Sequence, residues 1–215
     1  MKQRIIVVGA GGHARVLVSL LRQLAEWELV GILDRERPVA GEDIGGVAVV
    51  GGFADLERLT IDGVRHVALA IGDNDERTAI YHRVKKLGLG LPVLCHPRAS
   101  IEPEARVGEG TVVCVGAVIC AGTSIAENCI INTAALVDHE SRIGAHVHLA
   151  PGVRIAGRVS IGEGTMVGIG SSVKDKIRIG SRTVVGAGSV VVTDLPDGVV
   201  AHGCPARVSR MRTYP

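Results

Sequence analysis

The chain has 215 residues, 47% hydrophobic but only 2% aromatic, with 29 glycines and a formal net charge of +2. A balance this close to neutral, without a basic run interleaved with aromatics, excludes an electrostatic footprint for nucleic acid and leaves small molecules as the expected ligands. Residues 111–126 lie in the longest uncharged stretch, which is shorter than a membrane span, and Met1 to Gly12 lack the regions of a signal peptide, so a soluble cytoplasmic protein without membrane insertion is expected.

Residues 4–8 form an apolar run, followed by Gly9-Ala10-Gly11-Gly12-His13-Ala14 and a helical pattern through Val16, Leu17, Leu20, Leu21 and Leu24. This reads as strand, glycine turn and helix, and the next apolar run (29–33) ends in Asp34, as in a dinucleotide-binding fingerprint. Small residues in such a turn let backbone N–H groups and a helix N-terminus approach an anion closely, or simply allow tight strand–helix packing. The pattern does not select a nicotinamide cofactor, and the unit is too short for the full two-half sheet. A truncated Rossmann-like α/β domain over residues 1–95 is expected. Strand-like runs follow at 47–50 and 67–71, the latter leading into Gly72-Asp73-Asn74 and a helix with Arg77, Tyr81 and Lys85. Pro92 and Pro97 mark an extended connector, with the ligand expected between the two halves.

From Ile101 to Val191 an aliphatic residue recurs at every sixth position without a slip. A period of six suits neither an amphipathic helix nor an alternating strand, but it fits a chain advancing one side of a triangular prism per hexad. Residues 96–195 are therefore read as a parallel β-helix in which residues 18 apart stack at roughly 4.8 Å. The fourth residue after each aliphatic is usually small, as a narrow interior needs. Glycines directly after aliphatics (Gly108, Gly144, Gly162, Gly168, Gly180, Gly186) are expected at corners that demand conformational freedom. Residues 196–215 are read as a C-terminal loop and tail. Five cysteines without CxxC spacing read as buried free thiols.

Three motifs together, Gly9-Ala10-Gly11-Gly12-His13, Ile131-Asn132-Thr133 with Val137-Asp138-His139-Glu140 and Ala150-Pro151-Gly152, and Gly203-Cys204-Pro205-Ala206-Arg207, resemble the hexapeptide-repeat sugar acetyltransferases. These include sialic-acid O-acetyltransferases and N-acetyltransferases of 4-amino-sugar nucleotides. The resemblance implies a left-handed winding, a homotrimer, and acetyl-CoA lying between adjacent prisms. By the same resemblance, Gly11, Gly12 and His13 contact a nucleotide-linked sugar, with Asp34, Arg35 and Gly72 lining its pocket and Asn132 near the reacting sugar. His139 is implied as proton acceptor, Glu140 as the residue that orients it, and His148, Ile169 and Ala187 as coenzyme-A contacts. Glu140, Asn132 and the Gly72-Asp73-Asn74 turn resemble the N-acetyltransferases of nucleotide-linked 4-amino-4,6-dideoxyhexoses (perosamine or bacillosamine type) more closely than the O-acetyltransferases, which stay as the alternative.

The hexad register bears on these assignments independently. His139 is third in its hexad, stacked between Ala121 and Gly157, whose small size leaves an imidazole accessible. Ile169 and Ala187, 18 apart, continue a column with Pro151 and Thr133 along which a thioester arm could run, and His148 precedes the corner leading to it. His146 is expected to be solvated. His139, His146 and His148 occupy the third, fourth and sixth hexad positions and point in different directions, which argues against a shared metal, and no metal is expected. A nicotinamide oxidoreductase would leave the prism without a role, and a non-catalytic scaffold would need no His-Glu pair.

Overall fold

The N-terminal apolar run forms β1 (Gln3–Val8), its last four residues buried, and the glycine turn leads into α1 (Gly12–Leu21). The computed structural model describes residues 2–35, 42–58 and 63–213, in two compact units, Met1–Pro97 and Arg98–Pro215. In the first unit, β2 (Trp27–Asp34), β3 (Asp43–Ile44), β4 (Val47–Gly52) and β5 (His66–Leu69) join β1 in the order β3-β4-β2-β1-β5. All pairs are parallel except β3 with β4. α1 buries Ala14, Leu17, Val18, Leu20 and Leu21, the one-sided stripe its spacing requires. α2 (Asn74–Lys86) starts at Asp73, whose carboxylate accepts the Glu76 N–H at 2.8 Å and caps the helix.

In the second unit, sixteen two-residue strands run from Ser100–Ile101 to Val190–Val191, one per hexad. They form three parallel ladders in which Ile101, Ile119, Val137, Ile155, Val173 and Val191 pair in register at steps of 18 residues. The small residues at the fifth hexad position include hydroxyls with almost no exposure, among them Thr111, Ser141, Thr165 and Ser171. Each donates to a carbonyl 15 residues on (Thr111 to Ala126 O, 2.9 Å; Ser141 to Ala156 O, 3.1 Å) and accepts the N–H 18 residues on (Cys129, 3.1 Å; Val159, 3.1 Å). A polar atom thus enters the prism without an unmet hydrogen bond, and it ties one coil to the next.

The corners differ from the expectation for the glycines. Positive φ falls at the fourth position of every hexad from Gly110 to Gly188, including non-glycines such as Asn128, Glu140, His146 and Arg158. Gly108 and Gly144, at the second position, have no such φ; a Cβ there would lie 2.6 Å from Ala126 C and 2.8 Å from Glu163 N on the neighbouring coil. Glycine is needed there because successive coils approach too closely for a side chain. The C-terminal residues, expected as loop and tail, instead contain a hairpin of Val199–Gly203 and Ala206–Met211, the first strand of which adds to the Val184–Val185 ladder. Residues 214–215 lie outside the described residues. The cysteines are free, but only Cys114 and Cys129 are buried, and burial pushes the Cys114 thiol up to about 12. Cys95 and Cys120 are half-buried and Cys204 is exposed, since the latter lies at the turn of the hairpin.

Candidate active site

His139 sits at a prism corner between Val137, which points inward, and Glu140, whose φ of 56° makes the turn. Asp138 Oδ1 accepts the His139 N–H at 2.7 Å, which fixes the backbone entering the corner. The imidazole Nδ1 lies 3.1 Å from Glu140 Oε2, with both side chains about half exposed. A carboxylate at Nδ1 assigns the proton of the neutral ring to that nitrogen and leaves the Nε2 lone pair to accept one. One coil on, a Cβ at Gly157 would stand 2.5 Å from Nε2. The position of the ring therefore requires glycine at 157, a sharper condition than smallness.

Sequence reasoning missed Arg158. Its Nε donates to the same Glu140 Oε2 at 2.8 Å. The hydrogen bond from Arg158, then that from His139, and the guanidinium charge hold the Glu140 carboxyl below the usual range. The signal was available, since residues 140 and 158 are one coil apart.

The structure also joins two residues that were assigned to different ligands. Asn132 Oδ1 accepts the Thr133 N–H at 2.8 Å, so the amide nitrogen faces His148 Nε2 at 3.2 Å as donor. His148 Nε2 is then the acceptor, and a neutral His148 carries its proton on Nδ1. Ile169 is 57% exposed, and the Gly188 N–H bonds to its carbonyl at 2.8 Å; Gly170 and Gly152 repeat that bond to Pro151 (3.0 Å) and Thr133 (2.8 Å). The column from Thr133 to Ala187 is thus continuous. His146, expected in solvent, is 3% exposed, and its Nδ1 lies 2.8 Å from the amide of buried Asn128. Both occupy the fourth hexad position of adjacent coils, so stacking brings them together and removes them from water. The three histidines face Glu140, Asn128 and Asn132 respectively. Among the described residues no group of three His, Cys, Asp or Glu side chains is arranged to hold a metal ion.

In the first unit a cavity of about 420 Å³ is lined at the glycine turn by Gly9 and Gly11, at the end of β2 by Asp34 and Arg35, and opposite by Gly72, Asp73 and Glu76. Four expected residues, Gly11, Asp34, Arg35 and Gly72, meet there; Gly12 and His13 follow in the first turn of α1, outside the lining. Phe53, the only phenylalanine of the chain, also lines it and was missed, because no motif marks it. Asp34 Oδ1 accepts the Ala10 N–H at 3.2 Å, so the carboxylate shapes the glycine turn. Arg35 bonds Glu76 Oε1 through Nε (3.1 Å) and Nη2 (2.8 Å). No side chain caps the α1 N-terminus and no acid stands in its first turn, which suits an anion there. No helix among the described residues is long and apolar enough to cross a membrane.

Residues 4–84 match the family model of the PglD N-terminal domain, and residues 158–193 that of the bacterial transferase hexapeptide (six repeats). GDP-perosamine N-acetyltransferase of Escherichia coli O157:H7 is 25% identical over 211 residues, 94% of either chain. PerB from Caulobacter crescentus, solved with CoA and GDP-perosamine, is 40% identical with a TM-score of 0.90, covering 95% of this chain and 96% of that one. The acetyltransferase domain of PglB from Neisseria gonorrhoeae FA1090 is 36% identical with a TM-score of 0.90, over 96% of this chain and 100% of that one.

Proposed function

This chain belongs to the hexapeptide-repeat sugar acetyltransferases with a PglD-type N-terminal domain and a left-handed β-helix, and from that premise we propose that it N-acetylates a nucleotide-linked 4-amino-4,6-dideoxyhexose. GDP-perosamine, bound by the 40% identical PerB, is the first candidate substrate, and acetyl-CoA the donor. The observation that carries this reading is His139 Nε2, held open against Gly157 while Nδ1 faces the Glu140 carboxylate.

In the proposed reaction the neutral 4-amine attacks the thioester carbonyl carbon, forming the C–N bond and a tetrahedral oxyanion. His139 Nε2 takes the proton as the nitrogen becomes cationic, with Glu140 steadying the imidazolium. Collapse of the oxyanion breaks the C–S bond and releases coenzyme A, with no covalent enzyme intermediate. Because a neutral amine is already nucleophilic, a late proton transfer suffices. His148 is the proposed hydrogen-bond donor to the thioester or developing oxyanion, and the column of Ile169 and Ala187 gives the pantetheine arm an apolar strip. The N-terminal cavity takes the nucleotide, with Gly11, Gly12 and His13 at the helix N-terminus receiving phosphate and Asp34, Arg35 and Gly72 in contact with the remainder. Residues 1–95 serve as the nucleotide-sugar domain and 96–195 as the acyltransfer domain of a cytoplasmic homotrimer.

Thiol release from acetyl-CoA, measured against GDP-perosamine, UDP-linked 4-amino sugars and hydroxyl sugars, tests the reading. Release with an amino-sugar nucleotide is expected. Release only with a hydroxyl acceptor would convert it into the O-acetyltransferase alternative, for which base catalysis by His139 matters more.

A further inference from the structure

The three faces of the prism differ in the residue that precedes each inward aliphatic. Two faces mix apolar and polar residues there, as at Val118, Leu136 and Arg154 or at Ile130, His148 and Met166. On the third, the ladder from Arg106–Val107 to Arg178–Ile179, the sequence of rungs is Arg106, Ser124, Arg142, Ser160, Arg178. Cations on adjacent rungs, roughly 4.8 Å apart, would repel one another; a serine between them doubles the separation and lets two guanidinium groups lean over one hydroxyl.

A cavity of about 850 Å³ opens on this face, its lining including Arg142, Ser160, Arg178, Ser181, Asp194 and Asp197. The two carboxylates are spent on backbone. Arg178–Ile179 is the last strand of its ladder, with Leu195 making only a bridge to Ile179, so N–H groups at this edge need other acceptors. Asp194 Oδ1 accepts the Arg178 N–H at 2.8 Å, and Asp197 Oδ1 accepts the Ser181 N–H at 2.7 Å. Among the described residues neither the Arg142 nor the Arg178 guanidinium forms an ion pair, and the Ser160 hydroxyl bonds to no group. Two exposed cations and a hydroxyl donor therefore share one cavity with their hydrogen-bonding capacity unused.

The catalytic corner borders this face. Glu140 makes the turn after His139, and Arg142 opens the next strand of the same coil. The column of Thr133, Pro151, Ile169 and Ala187 lies on the edge opposite the arginine face and contains no cation. It can hold an apolar arm, but the phosphoryl groups of acetyl-CoA need positive charge from elsewhere.

We infer that Arg142, Ser160 and Arg178 form the site that receives phosphoryl groups of acetyl-CoA. Each guanidinium presents a planar fork to phosphoryl oxygens, and the serine hydroxyl between them donates a further bond. Because the arginine row and the Ile169 column stand on opposite sides of one prism, a single acetyl-CoA touches both only between two copies. The inference rests on the acetyl-CoA donor and the trimer of the reading above.

Titration calorimetry of the full chain with coenzyme A tests it on wild type, Arg142→Gln, Arg178→Gln and Arg106→Gln, the last on the same face but outside the cavity. Each of the first two is expected to weaken coenzyme A about tenfold, the scale of a charge-assisted contact, while Arg106→Gln binds as wild type. Added KCl should weaken coenzyme A more in wild type than in either variant. In thiol release, kcat/KM for acetyl-CoA should fall about tenfold with kcat and the nucleotide-sugar KM held, whereas S-acetylpantetheine, which has no phosphoryl group, should react equally with all four proteins. An equal loss with S-acetylpantetheine overturns the inference, because the arginines would then act through structure. A raised nucleotide-sugar KM with unchanged coenzyme A affinity overturns it and gives the row to the other substrate. Unchanged affinities throughout overturn it as well, leaving a solvated face. Coenzyme A binding that the variants lose supports the inference even where no amino sugar releases thiol, a result that would sink only the acceptor assignment. If wild type binds no coenzyme A, the donor reading falls and this inference with it. Should Arg178→Gln not fold, Arg142→Gln carries the test on the same outcomes.

Discussion

Arg158 lies one coil from Glu140, and its Nε donates at 2.8 Å to the same carboxylate oxygen that faces His139 Nδ1 at 3.1 Å. A cation and an imidazole thus compete for one oxygen. The Glu140 carboxyl, held low first by the Arg158 hydrogen bond, stays ionised below the ordinary glutamate range. A depressed folded value means that whatever this group contributes to stability is present above the unfolded pKa and is lost only as pH falls through the folded one. The groups are exposed, so the contribution is modest.

Replacing the cation therefore has a defined sign. Asp138, Glu140, Arg158 and the Asp175–Lys176 pair are charged groups of this corner and the coils above it, and Arg158→Met removes the cation bonded to the shared carboxylate. Without the Arg158 hydrogen bond, the largest cause of its low value, the Glu140 carboxyl takes up its proton at higher pH, and the acidic limb of the kcat/KM profile is expected to move to higher pH with it. Profiles of wild type and Arg158→Met, measured at constant ionic strength, check this; superimposable limbs mean that the guanidinium does not tune the pair.

His139→Asn is expected to lower kcat on the order of a hundredfold, the scale of a lost general base, while acetyl-CoA affinity is retained. Wild-type turnover in that variant would remove His139 from the chemistry. Gly157→Ala offers a subtler test, because the new methyl meets Nε2 at 2.5 Å and must push the ring off Glu140. Displacement of this kind is expected to cost on the order of tenfold in kcat, with melting temperature and acetyl-CoA affinity retained. Full activity would mean that the ring has a second productive position.

The glycines of the N-terminal turn separate by cause. Gly9 has φ +105°, and a Cβ there would stand 2.9 Å from Ala70 O, so Gly9→Ala is expected to destabilise the unit by about 1–3 kcal/mol in thermal unfolding. Gly12→Val meets open space and should leave the melting temperature nearly unchanged while raising KM for the nucleotide sugar. An unaltered KM would take the turn out of ligand binding.

Asn132 and His148 are predicted to behave as a unit. Asn132→Asp replaces the donor facing His148 Nε2 by an acceptor, which drives the imidazole proton from Nδ1 to Nε2 and removes the proposed donor to the thioester. A raised KM for acetyl-CoA is expected, together with lower kcat. If Asn132→Asp leaves acetyl-CoA kinetics untouched, His148 is not a coenzyme-A contact.

Several parts of this arrangement were legible beforehand. His139 beside Gly157 and the Ile169 and Ala187 column follow from counting by 18, and Gly11 with Asp34 from a strand–turn–helix pattern with an acid at the next strand end, whereas Arg35 and Gly72 were placed with them only by the resemblance to the sugar acetyltransferases. Phe53 carried no motif. His146 was expected in solvent, whereas here Asn128 stacks on it and both are covered. The second-position glycines were located correctly and explained wrongly: they answer to the distance between coils, and the turn itself is made two residues later.

The order of aliphatic residues by itself determined the prism, its coil of 18 residues, and which positions are neighbours, because every contact of a solenoid spans a fixed chain separation. Tertiary structure alone decided which neighbouring side chains turn toward each other: Arg158 toward the Glu140 oxygen that faces His139, and Asn132 toward His148. The reason is physical. Backbone period is set by local geometry repeated along the chain, whereas rotamer, burial and hydrogen-bond partner depend on the volumes and charges that the folded neighbours leave open.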